Sequence, residues 1–151
     1  MAEIEIIPRP VDHPDALAMI AGSEAELASI YAPEHRYAFS PDELIAARVH
    51  FVVVYRGGSP IGCGGMAPLD GYGELKRIFT DPAARGTGIG RRIVAVLEAE
   101  AKGRALPLMR LETGEASPDA LALYEKCGYR RIGPFGSYRD NGSSVFMEKA
   151  L

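Results

Sequence analysis

Residues 78–92 hold the densest chemistry in the chain. There Ile78, Phe79 and Thr80 lead through Asp81-Pro82 into Arg85-Gly86-Thr87-Gly88-Ile89-Gly90-Arg91-Arg92. The pattern reads as a strand end, a loop with glycine at alternate positions, and an immediate helix start. Without Cβ atoms the backbone admits a close ligand, and the first amides of a helix point outward with no intrahelical partner. Such a nest, backed by the positive end of the helix dipole, suits a phosphate or pyrophosphate, and Arg85, Arg91 and Arg92 add charge at the same mouth. Two common nucleotide motifs fail on spacing. A P-loop needs Lys-Ser/Thr after its last glycine, where Arg91-Arg92 stand, and a dinucleotide fingerprint needs glycine at position 91. The residues alone therefore define a strand–loop–helix anion site of open identity.

The elements that must position this loop follow from periodicity. Residues 3–7 alternate charge with isoleucine before Pro8, an edge-strand pattern. Leu17, Ile20, Leu27 and Ile30 recur at helical spacing through 12–31, with Asp12 as the expected N-cap and Gly22-Ser23 as a bend or break. Residues 32–39 read as a loop. Ser40-Pro41-Asp42-Glu43 is a capping box opening a short helix over 41–48. Strands are expected at 50–55, 61–68 and 74–80, separated by the turns at 56–60 and 70–73. A helix over 88–102 carries Ile89, Ile93, Val96 and Leu97 on one face. A strand at 108–113, a helix from Ser117-Pro118 through Cys127 with Gly128 after it, and strands at 129–132 and 145–148 complete the chain. The order is β-α-α-β-β-β-α-β-α-β-β, an α/β chain with helices packed on a mixed sheet, read as one domain over residues 1–151.

Composition removes several classes of function. The chain has 151 residues, 47% hydrophobic and 25% charged, with 17 Lys+Arg against 20 Asp+Glu. A chain of this length buries roughly 68–70% of its unfolded surface, so its core needs no metal or disulfide staple. A formal charge of −3 gives no electrostatic case for nucleic acid or a membrane surface. The longest uncharged stretch, 57–69, contains five glycines and two prolines and is no membrane helix. Met1-Ala2-Glu3-Ile4-Glu5 begins with acid where a secretory signal carries positive charge, so a cytoplasmic protein is expected. Cys63 and Cys127 read as thiols in a reducing compartment, with no metal-site spacing and no histidine partner for nucleophilic catalysis.

The loop Arg85-Gly86-Thr87-Gly88-Ile89-Gly90 resembles the Arg/Gln-x-x-Gly-x-Gly/Ala acyl-CoA signature of the GNAT superfamily of N-acetyltransferases. Ser117-Pro118-Asp119-Ala120-Leu121-Ala122-Leu123-Tyr124-Glu125-Lys126-Cys127-Gly128-Tyr129 is similar to that family's Asn-x-x-Ala-x-x-Leu-Tyr-x-x-x-Gly-Phe, with Ser117 standing where the family has Asn. The element order covers essentially the whole chain and is that of the GNAT acyl-CoA N-acyltransferase fold. Leu111-Glu112-Thr113-Gly114, Leu123-Tyr124, Pro134-Phe135-Gly136-Ser137-Tyr138 and Ser144-Val145-Phe146-Met147 resemble a branch of small bacterial GNAT proteins.

The resemblance implies acetyl-CoA as cosubstrate and no metal. The backbone of Ile78, Phe79 and Thr80 is then expected to pair with the pantetheine arm. The amides from Gly86 to Arg91 are expected to hold the pyrophosphate, and the thioester is expected in a gap where strands 74–80 and 108–113 splay apart. Arg85 and Ser117 are expected beside the cofactor. Acetyl transfer to an amine needs a neutral nucleophile, a stabilised oxyanion and a proton for the thiolate. An amine of pKa about 8 to 10.4 must lose a proton, usually through water. The Ile78 amide is the expected oxyanion donor and Tyr124 the expected proton donor. Glu74, six residues before Thr80, and Glu112, twelve before Tyr124, compete as general base. Attack through ordered water with no dedicated base is the third option.

In this fold the acceptor pocket lies between the loop after the first helix and the last two strands. Glu34, His35, Arg36 and Tyr37 lie in that loop, each read singly as a solvated residue, and Phe135 and Tyr138 are read as core or dimer packing, with lining of the acceptor pocket as the alternative. The expected reaction is acetyl transfer in a ternary complex to a primary amine of a small molecule or amino acid. A non-catalytic acyl-CoA-binding or sensor module, and transfer to a protein N-terminus or lysine, stand as alternatives. A nucleotide-binding protein with a fortuitous glycine loop is the third class. Family members are often dimers, and nothing in this chain decides that point.

Overall fold

The computed structural model describes residues 3–37 and 39–151. Met1, Ala2 and Ala38 lie outside the described residues, and with them the first two positions of the acidic N-terminus and one position of the loop at 32–39. Eleven elements follow in the order β1 (Ile4–Pro8), α1 (Pro14–Ile30), α2 (Pro41–Ala46), β2 (His50–Arg56), β3 (Ser59–Leu69), β4 (Tyr72–Thr80), α3 (Ile89–Gly103), β5 (Leu108–Gly114), α4 (Pro118–Lys126), β6 (Arg130–Ile132) and β7 (Ser144–Ala150). Single 3-10 turns sit at Pro33–His35 and Pro82–Ala84. This is the order expected from the sequence.

The strands form one sheet in the order β1-β2-β3-β4-β5-β7-β6. All neighbours are antiparallel except β4 and β5. That parallel ladder carries only the pairs Gly73↔Met109 and Glu74↔Arg110. Beyond Glu74 the two strands part, as the splayed arrangement requires.

Each face of the sheet buries its own core. On one side α3 and α4 cover Val52, Val54, Met66, Leu75, Met109, Leu111 and Met147, with Ile93 and Leu97 of α3 fully enclosed. On the other, α1 and α2 cover Phe51, Val53, Tyr55, Cys63 and Phe79, with Ala16 and Leu44 inserted. The alternation along β2, where Val52 and Val54 face one core and Phe51, Val53 and Tyr55 the other, is the period-2 pattern of a strand buried on both faces.

The glycines that thin β3 have steric causes. A Cβ on Gly64 would stand 2.6 Å from Ile93 Cγ2 and 2.7 Å from Ile78 Cδ1, so only glycine lets α3 approach so closely. Opposite Gly64 the register slips by one residue, and Arg77 on β4 has φ 54°, so β4 carries a bulge at 77–78.

Three local expectations are corrected. The N-cap of α1 is His13, whose Nδ1 accepts the Asp15 amide at 3.1 Å, rather than Asp12. The helix also runs unbroken through Gly22-Ser23. Gly22 passes over Phe79, where a Cβ would meet the ring at 3.1 Å, and the Ser23 hydroxyl accepts from Arg77 at 3.2 Å. Those two residues are tertiary contacts, so they did not need to bend the helix. The helix at 41–48 stops at Ala46, while its capping box forms as expected, Glu43 N–H donating to Ser40 Oγ at 3.2 Å and Ser40 N–H to Glu43 Oε1 at 3.1 Å.

Candidate active site

The gap between β4 and β5 opens into a cleft of about 700 Å³ that reaches both faces of the sheet. At one end lie Gly86, Gly88 and Gly90, at the other Glu74, Lys76, Glu112 and Tyr138, with Ile78, Phe79, Thr80 and Tyr124 between.

The glycine end is a bare helix start. Gly86 and Gly88 hold φ of +83° and +79°, and nothing lies within 4 Å of where their Cβ atoms would be. Gly88 is the N-cap of α3 and offers no side-chain cap. Open space in front of uncapped amides is what an anion needs. Thr87 Oγ1 closes the loop on the Ala84 carbonyl at 2.9 Å. Arg85 is committed elsewhere: its Nε donates to the Thr80 carbonyl at 2.9 Å and its terminal nitrogen pairs with Glu26 of α1. The structure thus uses Arg85 to pin the end of β4 to the loop, a role the motif did not announce.

In the middle, Ile78–Thr80 present the edge of β4 that faces the gap. Across it Tyr124 of α4 is 7% exposed, with its ring edge-on to Tyr129 at 6.0 Å between centroids. Burial pushes its phenol above the ordinary range, so the hydroxyl keeps its proton. Ser117, at the start of α4, is hydrogen-bonded to the Tyr31 hydroxyl at 2.8 Å. Tyr31 covers Gly114, where a Cβ would fall 2.0 Å from its hydroxyl. The serine in the asparagine position is therefore part of a clasp between the end of α1 and the start of α4.

The far end collects the carboxylates. Glu74 and Lys76, two apart on β4, project to the same face, and Lys76 Nζ donates to Glu74 Oε2 at 2.9 Å. The Tyr138 hydroxyl donates to the same oxygen, and Lys76 Nζ lies 3.4 Å from that hydroxyl and 3.4 Å above the centre of the Phe39 ring. Both side chains of the ion pair are nearly enclosed, with 6% and 5% exposed. Desolvation holds the Lys76 ammonium below its usual pKa, against the opposing pull of Glu74.

Glu112 on β5 faces the same chamber. Its partner is a neutral hydroxyl, Ser144 Oγ of β7, donating to Oε2 at 2.7 Å. Burial raises its carboxyl to about 7, with the nearby charge of Glu74 adding to the rise. Two carboxylates in one chamber thus differ in environment: one is bound to a cation, the other stands beside a neutral donor.

Two loops roof this end. His35 Nδ1 lies 3.1 Å from the Asn141 carbonyl and 3.1 Å from Ser143 Oγ, and the Tyr37 hydroxyl donates to the Arg139 carbonyl at 2.9 Å. Arg36 and Arg77 share Glu24, at 2.7 Å and 2.9 Å. His35, Arg36 and Tyr37 are therefore engaged rather than solvated, and all three line the cleft. Phe135 is core packing as expected, 8% exposed against Tyr72 and Phe146. Tyr138 departs from that reading: Tyr37, Phe135 and Phe146 hold its ring, but its hydroxyl reaches Glu74. Lys76 is a site residue that the sequence reading lacks, and for Tyr138 that reading has a place in the pocket wall but no contact with Glu74. The i, i+2 spacing of Glu74 and Lys76 was a usable signal for the first; a hydroxyl contact 64 residues away in sequence left none for the second.

With this geometry in place, comparison with known proteins identifies the class. The family model described as "Acetyltransferase (GNAT) family" matches residues 17–129, and the chain belongs to that family of acetyltransferases. Its sequence is 41% identical over 128 residues to a protein of Azospirillum brasilense named IAA acetyltransferase, covering 83% of each chain. A crystal structure from Klebsiella pneumoniae, assigned to the acyl-CoA N-acyltransferases, superposes with a TM-score of 0.84 at 31% identity, over 100% of this chain and 99% of that one. The PaiA N-acetyltransferase of Thermoplasma acidophilum, solved in complex with coenzyme A, shares the fold at a TM-score of 0.78 and 20% identity, over 99% of each chain.

Proposed function

We propose that this protein transfers an acetyl group from acetyl-CoA to a primary amine of a small molecule or amino acid, by direct attack in a ternary complex. The observation that carries the reading is the single cleft. It joins an uncapped, glycine-lined helix N-terminus to one buried and one half-buried carboxyl, Glu74 and Glu112, through the parted strands β4 and β5.

The residues present fit the cosubstrate. A pyrophosphate finds the open amides of the 86–91 loop, and any side chain at Gly86 or Gly88 would fill that space and strain a left-handed backbone. A flexible amide-bearing arm finds the free edge of β4 at 78–80, where it can hydrogen-bond as a strand would. What acetyl-CoA supplies when bound is a thioester, an acyl group already activated toward amines.

The chain's own groups supply the rest. The Ile78 amide, beside the bulge at 77–78, is the donor for the acyl oxygen. Tyr124, held protonated by burial, donates to the departing sulfur. Glu112, raised to about 7, takes a proton from the incoming ammonium directly or through water, because a base works best near the operating pH. Glu74 already accepts Lys76 and Tyr138, so it shapes the acceptor end and stands aside as base.

The test begins with thermal unfolding in acetyl-CoA, with NAD and ATP as controls. At 100 times Kd a ligand adds about 2.7 kcal/mol, which raises the midpoint by roughly 5–10 °C for a chain of this size. A shift with acetyl-CoA alone, followed by turnover on a panel of amines, is the expected result. No shift at millimolar acetyl-CoA overturns the reading. A shift with no turnover on amines, amino acids or peptides replaces it with a binding module.

A further inference from the structure

Lys76 places an amine of the chain itself at the acceptor end of the cleft. Its Nζ sits 2.9 Å from Glu74 Oε2, and the Tyr138 hydroxyl holds that same carboxylate oxygen. A nucleophile beside a base, with the base fixed by a third group, is the arrangement that activates a lysine for acyl transfer. The side chain lines the same cleft as Ile78–Thr80, two residues along the same strand. Among the described residues it is also the lysine that bulk solution reaches least, at 6% exposure, against 29% for Lys149, while Lys102 and Lys126 are exposed.

We infer that Lys76 is a self-acetylation site, modified in cis by the thioester bound in its own cleft when no acceptor is present. The inference rests on the acetyl-CoA reading above. In the step, the Lys76 ammonium gives one proton to Glu74, and the neutral amine attacks the thioester carbonyl. The N–C bond forms as the C–S bond breaks. The departing sulfur leaves as the thiol with the second Nζ proton, relayed through Tyr124, and Glu74 releases the first to solvent. Lysine ammonium and acetyl-CoA thus become acetyl-lysine, CoA thiol and one proton, with no oxidant or reductant.

The product has a structural consequence. An acetylated Lys76 carries no charge, so the ion pair with Glu74 and the cation–ring contact with Phe39, now at 3.4 Å, are lost together. Glu74 then keeps Tyr138 as its partner, and the acceptor end loses a buried cation.

The test is peptide mapping by mass spectrometry after incubation with acetyl-CoA and no amine, beside the thermal shift on the same sample. The expected result is one acetyl group on Lys76, at a rate independent of protein concentration, with Lys102, Lys126 and Lys149 unmodified. Gly88→Glu, which blocks the anion end, loses the mark at Lys76, and Glu74→Gln slows it while Lys76 remains in place. Lys76→Arg keeps the positive charge and carries no mark. Unmodified Lys76 in protein that acetyl-CoA stabilises overturns the inference and leaves the acetyl-CoA reading standing. Modification of Lys102 and Lys126 ahead of Lys76, unchanged in Gly88→Glu, overturns it as solution chemistry. If acetyl-CoA gives no thermal shift, both fall.

Discussion

A carboxyl that ionises near pH 7 inside a folded chain is both a catalytic asset and a structural cost, and Glu112 allows the two to be measured separately. Its ordinary value is 4.5 and burial raises it to about 7, so the folded state keeps a proton that the unfolded state gives up. Stability therefore falls as pH rises from about 4.5 to about 7, and the cost is carried in full above that. Glu112→Gln is expected to unfold at a higher temperature than the parent at pH 8 and at nearly the same temperature at pH 4.5, read by thermal denaturation at both. In activity the sign reverses: the parent rate climbs through pH 7 as the base form appears, and the Gln variant loses that limb. Tyr124→Phe removes the proposed proton donor and is expected to lower kcat by about 10²-fold or more, with the acetyl-CoA thermal shift preserved. At this scale the sequence showed residue types and motif positions, so Glu74, Glu112 and Tyr124 were legible. It did not show who touches whom. That Lys76 occupies Glu74, that Arg85 is spent on Thr80 and Glu26, and that Tyr138 turns into the cleft are matters of long-range contact.

Elements were easier to read than contacts, because periodicity and capping are written locally. The capping box at Ser40 forms with both of its bonds, and the β-branched strand expected at 50–55 runs one residue longer. Glycine was the ambiguous letter. Gly22 looked like a helix breaker and is a crossing point, since its lack of a Cβ serves Phe79 rather than the backbone. Gly64 thins β3 and is the place where α3 docks. Gly64→Val is expected to cost roughly 1–3 kcal/mol by overpacking against Ile93 and Ile78, read by urea denaturation. Because Ile78 belongs to the strand proposed to meet the acyl oxygen, the same variant is expected to lose activity well below its unfolding transition. A surface glycine with open space around it, such as Gly103, has no such coupling and serves as the control.

At the scale of the whole molecule the sheet is two half-sheets, β1–β4 and β5–β7, joined by the two ladder pairs at Gly73 and Glu74. The roof over the acceptor end ties the halves again, through His35 with Asn141 and Ser143 and through Tyr37 with Arg139, and the Tyr31–Ser117 clasp ties them a third time. The order of elements announced the fold, since that order is shared by the family, but the splay itself has no local signature. It follows from where the parallel ladder stops. That stop leaves two strand edges facing each other inside the protein, and an unpaired edge is a template for any other chain that can present a strand. These edges are therefore an adhesive seam, and on the proposed function the cosubstrate's amide-bearing arm covers it, as a solubility device as well as a reactant. Protein held a few degrees below its own midpoint is expected to aggregate more slowly with acetyl-CoA than without, at matched distance from unfolding, with light scattering as the readout. Equal rates would mean that the roof already shields the seam. On the expected outcome, the cell's supply of thioester governs how long the protein stays soluble as well as how fast it works.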